Sequence, residues 1–139
     1  MYRNDRGKWR PIWDLPGSLE QAGARFSKVV GVTYYPGLHS PRAGAGWWLR
    51  LIREPDNPHG QRTESGISTA IAVYTDDGVE IGHLPSEITW DIYADARLRD
   101  TDLGAVVVTE YRLKETQERT GIRVLVGPSP VWAEWDQPA

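Results

Sequence analysis

The sequence predicts a mostly β domain, a small OB-like barrel of five or six strands with one helix. Three observations carry this prediction. Runs rich in β-branched and aromatic residues are bounded by turn signals, one Asp-Gly step indicates a tight hairpin, and one segment has convincing helical periodicity. Closing such a sheet removes its exposed edges, so we expect a barrel and not an open sandwich.

The strands are predicted from their β-branched and aromatic residues. The first begins at Phe26 and continues through Tyr35, where Pro36-Gly37 signals a turn. Further strands are predicted at Trp47 to Ile52, Ala70 to Thr75, Val79 to Leu84, Ala105 to Leu113 and Gly121 to Val126. Before the third strand, residues 60–69 are polar and rich in glycine and serine, which is typical of a flexible insertion.

A hairpin is predicted at Asp76-Asp77-Gly78, because an Asp-Gly step supplies the positive φ angles of a tight turn. The helix is predicted to follow directly after this hairpin. Ser86 is its expected N-cap, Glu87 complements the helix dipole, and an apolar stripe recurs every four residues from Ile88 to Ala96.

The chain divides into an N-terminal extension over 1–25, the barrel over 26–126 and a tail over 127–139. One or two helical turns are allowed at residues 18–25. Four tryptophans lie outside the barrel, and we expect them either to pack on its surface or to contact a partner. They are Trp9, Trp13, Trp132 and Trp135.

Composition excludes several classes of function. Cysteine is absent, so disulfides, thiolate metal sites and cysteine nucleophiles are excluded. No apolar run approaches the roughly 20 residues of a membrane-spanning helix, and the N-terminus does not resemble a signal peptide. We therefore expect a cytoplasmic protein that does not bind membranes.

The net charge of −3 hides an asymmetry along the chain. Residues 1–62 carry ten Lys/Arg and five Asp/Glu, a charge of +5, whereas residues 63–139 carry six and fourteen, a charge of −8. The domain is therefore not expected to coat nucleic acid by bulk positive charge. A local basic surface beside an acidic one remains compatible with these numbers, as do ordinary solvated faces.

An enzyme is not indicated. Asp76 and Asp77 fall where a hairpin turn requires such residues, so turn chemistry explains them better than acid–base catalysis. Three histidines, His39, His59 and His83, could converge on a metal, but their spacing matches no known ligand motif. We expect no catalysis, no cofactor and no metal.

Three blocks together resemble the HIRAN domain. They are Val29 to Tyr35 followed by Pro36-Gly37, then Leu51 to Pro58 with E-P-D-N-P, then Ala70 to Tyr74 continuing through I-G-H-L-P at Ile81 to Pro85. The resemblance covers about residues 27–126. It implies an OB-like barrel that binds DNA, in which unpaired bases stack on aromatic rings and a few polar groups orient the end of the strand.

The resemblance assigns roles to four residues. Tyr34 and Tyr35 match tandem tyrosines that contact the terminal nucleotides, and barrel core is the alternative for either one. Asn57 matches an asparagine that can bond a base or phosphate, with an Asx turn as the alternative. His83 matches a histidine at the end of the hairpin, where a purely structural role is the alternative.

The sequence departs from the family pattern beside Asn57. The family continues N-P-Y-D, with the aspartate near the 3′ hydroxyl, whereas this chain has Asn57-Pro58-His59-Gly60. His59 still offers a flat ring for stacking, but Gly60 offers no carboxylate. Two basic positions of the family are Thr33 and Ser86 here, so loop arginines are the candidates to contact phosphates instead, with ordinary solvated surface arginines as the alternative. The candidates are Arg42, Arg53 and Arg62.

Two functions follow as expectations. The first is binding of single-stranded DNA or DNA ends by stacking and polar positioning, as an accessory in repair, replication or defence alongside a helicase or nuclease. The alternative is a protein- or peptide-interaction module on a barrel that no longer recognises 3′ ends. Salt separates them, since nucleic-acid binding weakens steeply with salt and an aromatic peptide interface responds little. The sequence predicts no oligomeric state.

Overall fold

The computed structural model describes residues 21–129 and, near the N-terminus, the backbone of two short strands. The eight strands in the described residues include a separate two-stranded ribbon of β1 and β2. In chain order the strands are β1 (Tyr2–Arg3), β2 (Trp9–Arg10), β3 (Arg25–Lys28), β4 (Trp48–Arg53), β5 (Ile71–Thr75), β6 (Glu80–His83), β7 (Leu103–Arg112) and β8 (Arg119–Pro128). The α-helix α1, which lies wholly within the described residues, spans Ser86–Ala94.

The six longer strands form one antiparallel sheet in the order β3-β8-β7-β4-β5-β6. The sheet curls so far that its two ends meet. Val30, just beyond β3, exchanges backbone hydrogen bonds of 2.8 and 2.9 Å with His83 at the end of β6. The expected mostly β barrel with a helix is confirmed, as a curled half-barrel sheet closed at this single bridge.

The core lies inside the curl because alternate residues of each strand point inward. Inward positions of β4, β5, β7 and β8 are aliphatic, and α1 adds Ile92 from one end. The fully buried side chains of this core are Ile71, Val73, Ile81, Ile92, Leu98, Val107, Ile122, Val124 and Val126. This packing gives the site described below a rigid support.

The prediction for the first strand was wrong beyond Lys28. β3 ends there, and the chain turns through Gly31, whose φ of 74° is left-handed. Three consecutive 3-10 helices follow, namely Val32–Tyr34, Pro36–His39 and Pro41–Ala43. Prolines open the second and third of these, where their fixed φ suits a helical turn. The β-branched residues before Tyr35 have a high strand propensity, but they do not form a strand here.

The hairpin prediction at Asp76-Asp77-Gly78 is confirmed. Thr75 accepts the backbone N–H of Gly78 at 3.0 Å, and Gly78 has a φ of 91°. A register shift between Val73 and Tyr74 then twists the pair of strands β5 and β6.

The helix is confirmed, with two corrections. The N-cap is Pro85 and no side chain caps the helix, so Ser86 is the first helical residue and not the cap. The helix ends at Ala94, and Ala96 is exposed and therefore outside the packed face. Ile88 and Ile92 do pack against the core, as the periodicity predicts.

Several expectations concern the ends of the chain. Trp13, Trp132 and Trp135 lie outside the described residues, as does the side chain of Trp9. Within the predicted N-terminal helix, Gln21 is helical, Arg25 already belongs to β3, and residues 18–20 are outside the described part. No helix in the described residues has the length and apolar character needed to cross a membrane.

Candidate functional site

The loop that carries the tandem tyrosines is tied to the far hairpin by one buried arginine. Arg119 on β8 is only 8% exposed, and its Nη1 donates to the carbonyls of Leu38 and Ser40, both at 2.7 Å. Its Nε donates to Glu110 on β7 at 2.9 Å. Because the guanidinium donates hydrogen bonds to two loop carbonyls, it fixes the 3-10 helices that follow Tyr34 and Tyr35.

Glu110 completes this anchor. Burial alone would raise its pKa, but the N–H of Ala45 and the guanidinium groups of Arg119 and Arg112 outweigh burial and lower the pKa to about 2. The carboxylate is therefore charged throughout the neutral range.

A cavity of about 460 Å³ opens where this loop faces the end of β6 and the start of α1. Its lining is aromatic and polar, and it contains no lysine, arginine, aspartate or glutamate among the described residues. The lining residues are Tyr34, Tyr35, Asn57, His59, Gly60, Gln61, Ala70, His83, Leu84, Ser86 and Thr89. The cavity therefore brings together five of the eight predicted site residues, namely Tyr34, Tyr35, Asn57, His59 and His83.

The two tyrosines take different positions at this cavity. Tyr34 is 85% exposed, so nearly its whole ring is open to solvent. Tyr35 is half-buried, and its ring lies 6.0 Å from the His83 ring at an interplanar angle of 48°. Neither ring belongs to the core. Burial, with smaller contributions from the charges of Glu80 and Glu54, raises the pKa of Tyr35, so its hydroxyl stays a hydrogen-bond donor at neutral pH.

A chain of polar contacts holds the histidine. His83 Nε2 lies 2.6 Å from Glu54 Oε1, and the same oxygen accepts a 3.0 Å hydrogen bond from Asn57 Nδ2. The structural alternatives given for His83 and for Asn57 are therefore both present, since each side chain is hydrogen-bonded within the protein. The carboxylate holds the imidazole in place by accepting a hydrogen bond from a protonated Nε2, while the ring itself still lines the cavity.

Asn57 also shapes the next turn. Its Oδ1 accepts the backbone N–H of His59 at 2.8 Å, which is the Asx turn considered from the sequence. This contact places the exposed His59 ring at the rim of the cavity. Since both ends of the Asn57 amide are engaged within the protein, Asn57 serves here mainly to position His59 and Glu54.

Gly60 is closely packed by the inserted loop. A Cβ at this position would lie 1.7 Å from Ser68 Oγ and 2.9 Å from Ser68 Cβ. The inserted loop, residues 61–68, is itself held in place. Arg62 and Ser68 form a β-bridge, and Arg62 donates to the Gly66 carbonyl at 2.6 Å. The space that a side chain at position 60 would need is thus filled by serine.

The three predicted arginines do not converge on this cavity. Arg42 pairs with Asp76 at 2.8 Å and lies over the Trp47 ring, 5.1 Å from its centroid. Arg62 donates to the carbonyls of Gly66 and Asn57. Arg53 lines a neighbouring cavity.

The three histidines do not converge on one site, because His39 lies apart from His59 and His83. His39 lies near Glu118, at 3.8 Å, away from the other two. Among the described residues, donor atoms of Glu54, Glu80 and His83 lie within 4.8 Å of one another and are the set that could hold a cation. The hydrogen bond between His83 and Glu54 already occupies one donor atom of each.

Sequence reasoning missed Glu54 and Thr89. Glu54 could have been found from its place directly before the Pro55 to Pro58 turn, three residues ahead of the Asn57 amide with which it bonds. Thr89 gave no signal, since a threonine in the first turns of a helix has no distinctive spacing. It enters the cavity wall from the helix, where its hydroxyl lies 3.3 Å from that of Thr69.

The fold and the site together define a small half-barrel with an open aromatic cavity at its seam. The HIRAN domain model matches residues 22–127, and the chain belongs to this family. The structure is similar to the HIRAN domain of human HLTF, with a TM-score of 0.51 at 21% identity over 78% of this chain and 79% of that one. It is also similar to a protein from Lactobacillus plantarum, with a TM-score of 0.49 at 18% identity over 73% of this chain and 91% of that one. No curated protein shows significant similarity.

Proposed function

We propose that this domain binds single-stranded DNA or DNA ends by stacking unpaired bases on the aromatic rim of the cavity. The observation that carries the proposal is Tyr34, whose ring is 85% exposed beside a cavity of about 460 Å³. A large aromatic ring left in water on a rigid support is the feature that base stacking requires, at about 1–3 kcal/mol per base.

Polar groups beside the rings support recognition of a strand end. The Tyr35 hydroxyl remains protonated at neutral pH, and the His83 ring is held in place by Glu54. Such groups can donate to or accept from a base edge, a sugar hydroxyl or a phosphate oxygen. His59 at the rim supplies a second flat ring for stacking.

Family membership supports nucleic acid over other ligands, since the HIRAN resemblance implies a DNA-binding barrel. The role that we propose is binding and not catalysis, in the service of a helicase or nuclease acting in repair, replication or defence. Among the described residues no aspartate or glutamate lines the cavity itself, and the neighbouring Glu54 is engaged by His83.

The test is the affinity of Tyr34→Ala for a fluorescent single-stranded oligonucleotide, measured by anisotropy. We expect about a tenfold loss from removal of one stacking ring, without loss of stability, because Tyr34 is almost fully exposed. Tyr111→Ala is the matched control, since Tyr111 is 51% exposed on β7 and does not line the cavity. Equal affinities of Tyr34→Ala and the unmodified protein would overturn the proposal.

A further inference from the structure

A second cavity, of about 320 Å³, lies on the other side of Ala70 and Thr89, which line both cavities. Its walls come from the end of β4, the inserted loop and the outer side of α1. The residues that line only this cavity include Arg53, Ile67, Tyr93, Arg99 and Asp100. The two cavities are therefore neighbours on one surface, separated by a wall of two small side chains.

We propose that this second cavity is a binding subsite for the nucleotides that follow the strand end held at Tyr34 and Tyr35. The inference rests on the proposed function and extends it, by assigning Arg53 and Arg99 to phosphate and Tyr93 to a base. The charge of the second cavity and its continuity with the first cavity support this second subsite.

The first cavity has no lysine or arginine side chain in its described lining, yet each nucleotide that enters brings a phosphate. The second cavity is lined by two arginines against one carboxylate, that of Asp100. Arginine is suited to phosphate because its planar fork donates to two oxygens at once. The cations that a single strand needs are thus beside the first cavity, and not within it.

The two guanidinium groups are held in place by backbone carbonyls. Arg53 Nη2 donates to the carbonyls of Leu98 at 2.7 Å and Thr101 at 2.9 Å. Arg99 Nε donates to the carbonyl of Tyr93 at 2.7 Å. Within the described part of the chain these contacts use one nitrogen of each guanidinium, so the remaining nitrogens are available to a ligand.

An aromatic surface accompanies these charges, as in proteins that bind single strands along a groove. Tyr93 is 36% exposed, with the Arg99 guanidinium 5.3 Å and the Trp90 ring 5.7 Å from its ring centroid. Across the cavity, Ile67 of the inserted loop is 51% exposed. A base that enters between them gains both stacking and apolar contact.

Continuity follows from the shared wall. OB-fold domains bind about 4–16 nucleotides, which is more than one cavity of this size can hold. The strand must therefore leave the first cavity along the surface, and the path over Ala70 and Thr89 leads into the cavity lined by Arg53, Tyr93 and Arg99.

The experiment compares a thymidine dinucleotide with a thymidine octanucleotide, by titration of the full chain and its variants. We expect the octanucleotide to bind more tightly to the unmodified protein. Arg99→Gln and Tyr93→Ala should each weaken octanucleotide binding about fivefold or more and leave dinucleotide binding unchanged. Arg99→Gln should also reduce the slope of log affinity against log salt by about 0.7, the value of one phosphate contact on a single strand.

Arg123→Gln is the matched control. Arg123 is likewise an exposed arginine stacked on an aromatic ring, 4.7 Å from the Phe26 centroid, but it lines neither cavity. Octanucleotide binding equal to that of the unmodified protein in both Arg99→Gln and Tyr93→Ala would overturn the second subsite while leaving the first intact. Failure of the unmodified protein to bind either oligonucleotide would overturn the proposed function and this inference together.

Discussion

Ser68 restricts which residue can occupy position 60. It packs against Gly60, and its Oγ accepts the backbone N–H of Ala70 at 3.1 Å, so the hydroxyl cannot rotate away without losing that bond. Even then, Ser68 Cβ would remain 2.9 Å from a Cβ at position 60. The packing of Ser68 therefore leaves no room for a side chain at position 60.

Gly60→Asp should accordingly lower the free energy of unfolding by about 1–3 kcal/mol, through overpacking against the inserted loop. Ser68→Gly in the same chain should recover part of the loss, because it removes both clashing atoms. Urea denaturation of the single and double variants measures the coupling, with Ser68→Gly alone as the control. Strictly additive effects of the two substitutions would contradict this packing.

At the same scale, the sequence indicated which residues surround the cavity better than it indicated what they do there. Tyr34, Tyr35, Asn57 and His83, which match the family motif, line the cavity, and so does His59, which stands where the family has a tyrosine. The partners of Arg42 lie at Asp76 and Asp77, which are distant in sequence and become neighbours only when the sheet curls. No motif encodes such a pairing, so the arginines could not be placed from sequence.

At the scale of elements, the seam between Val30 and β6 holds the cavity together. Gly82 allows the strands to approach, since a Cβ there would lie 2.4 Å from the carbonyl oxygen of Val30. The obstacle is backbone and cannot rotate away. This seam places Tyr35 beside His83, and both depend on the close approach at Gly82.

We predict that Gly82→Ala destabilises the domain by about 1–3 kcal/mol and weakens oligonucleotide binding, because the closing bridge must open to admit the methyl group. Gly121→Ala is the matched control on β8, where the new Cβ would meet the Tyr111 ring at an ordinary 3.6 Å. Thermal denaturation compares the two variants. Equal melting temperatures for them would show that the seam tolerates a side chain.

Elements with strong local signals were predicted, and those shaped by tertiary contacts were not. The Asp-Gly hairpin and the helix after it follow from turn chemistry and periodicity. The 3-10 segment after Gly31 carries strand-forming residues, and it is held instead by Arg119, which lies about 80 residues away in sequence. Long-range anchoring of this kind overrides local propensity.

At the scale of the whole molecule, the anchor between Glu110 and Arg119 makes stability depend on pH. Glu110 has a pKa lowered from 4.5 to about 2 in the folded protein, so the unfolded state binds a proton more readily. Its contribution is fully present above about pH 5 and is lost as pH falls toward 2. Asp95, whose pKa is also lowered by hydrogen bonds from Arg97, acts in the same direction.

Glu110→Gln should therefore lower the free energy of unfolding at neutral pH by about 1–3 kcal/mol. The difference from the unmodified protein should shrink between pH 5 and pH 2, where the native carboxyl also loses its charge. Denaturation at a series of pH values measures this, with Glu115→Gln at the exposed hairpin as the control. A difference that does not change with pH would contradict the role of the charge.

Entry of a single strand into the cavity at Tyr34 is tested most directly by the salt dependence of oligonucleotide binding. The measurement is the anisotropy of a labelled single-stranded oligonucleotide with a free 3′ hydroxyl, beside its fully duplex form, across a salt series. We predict that the single strand binds more tightly and that log affinity falls with log salt, by about 0.7 for each phosphate contacted. Absence of binding, or binding that salt does not change, would contradict the account and turn attention to a peptide ligand for the same aromatic rim.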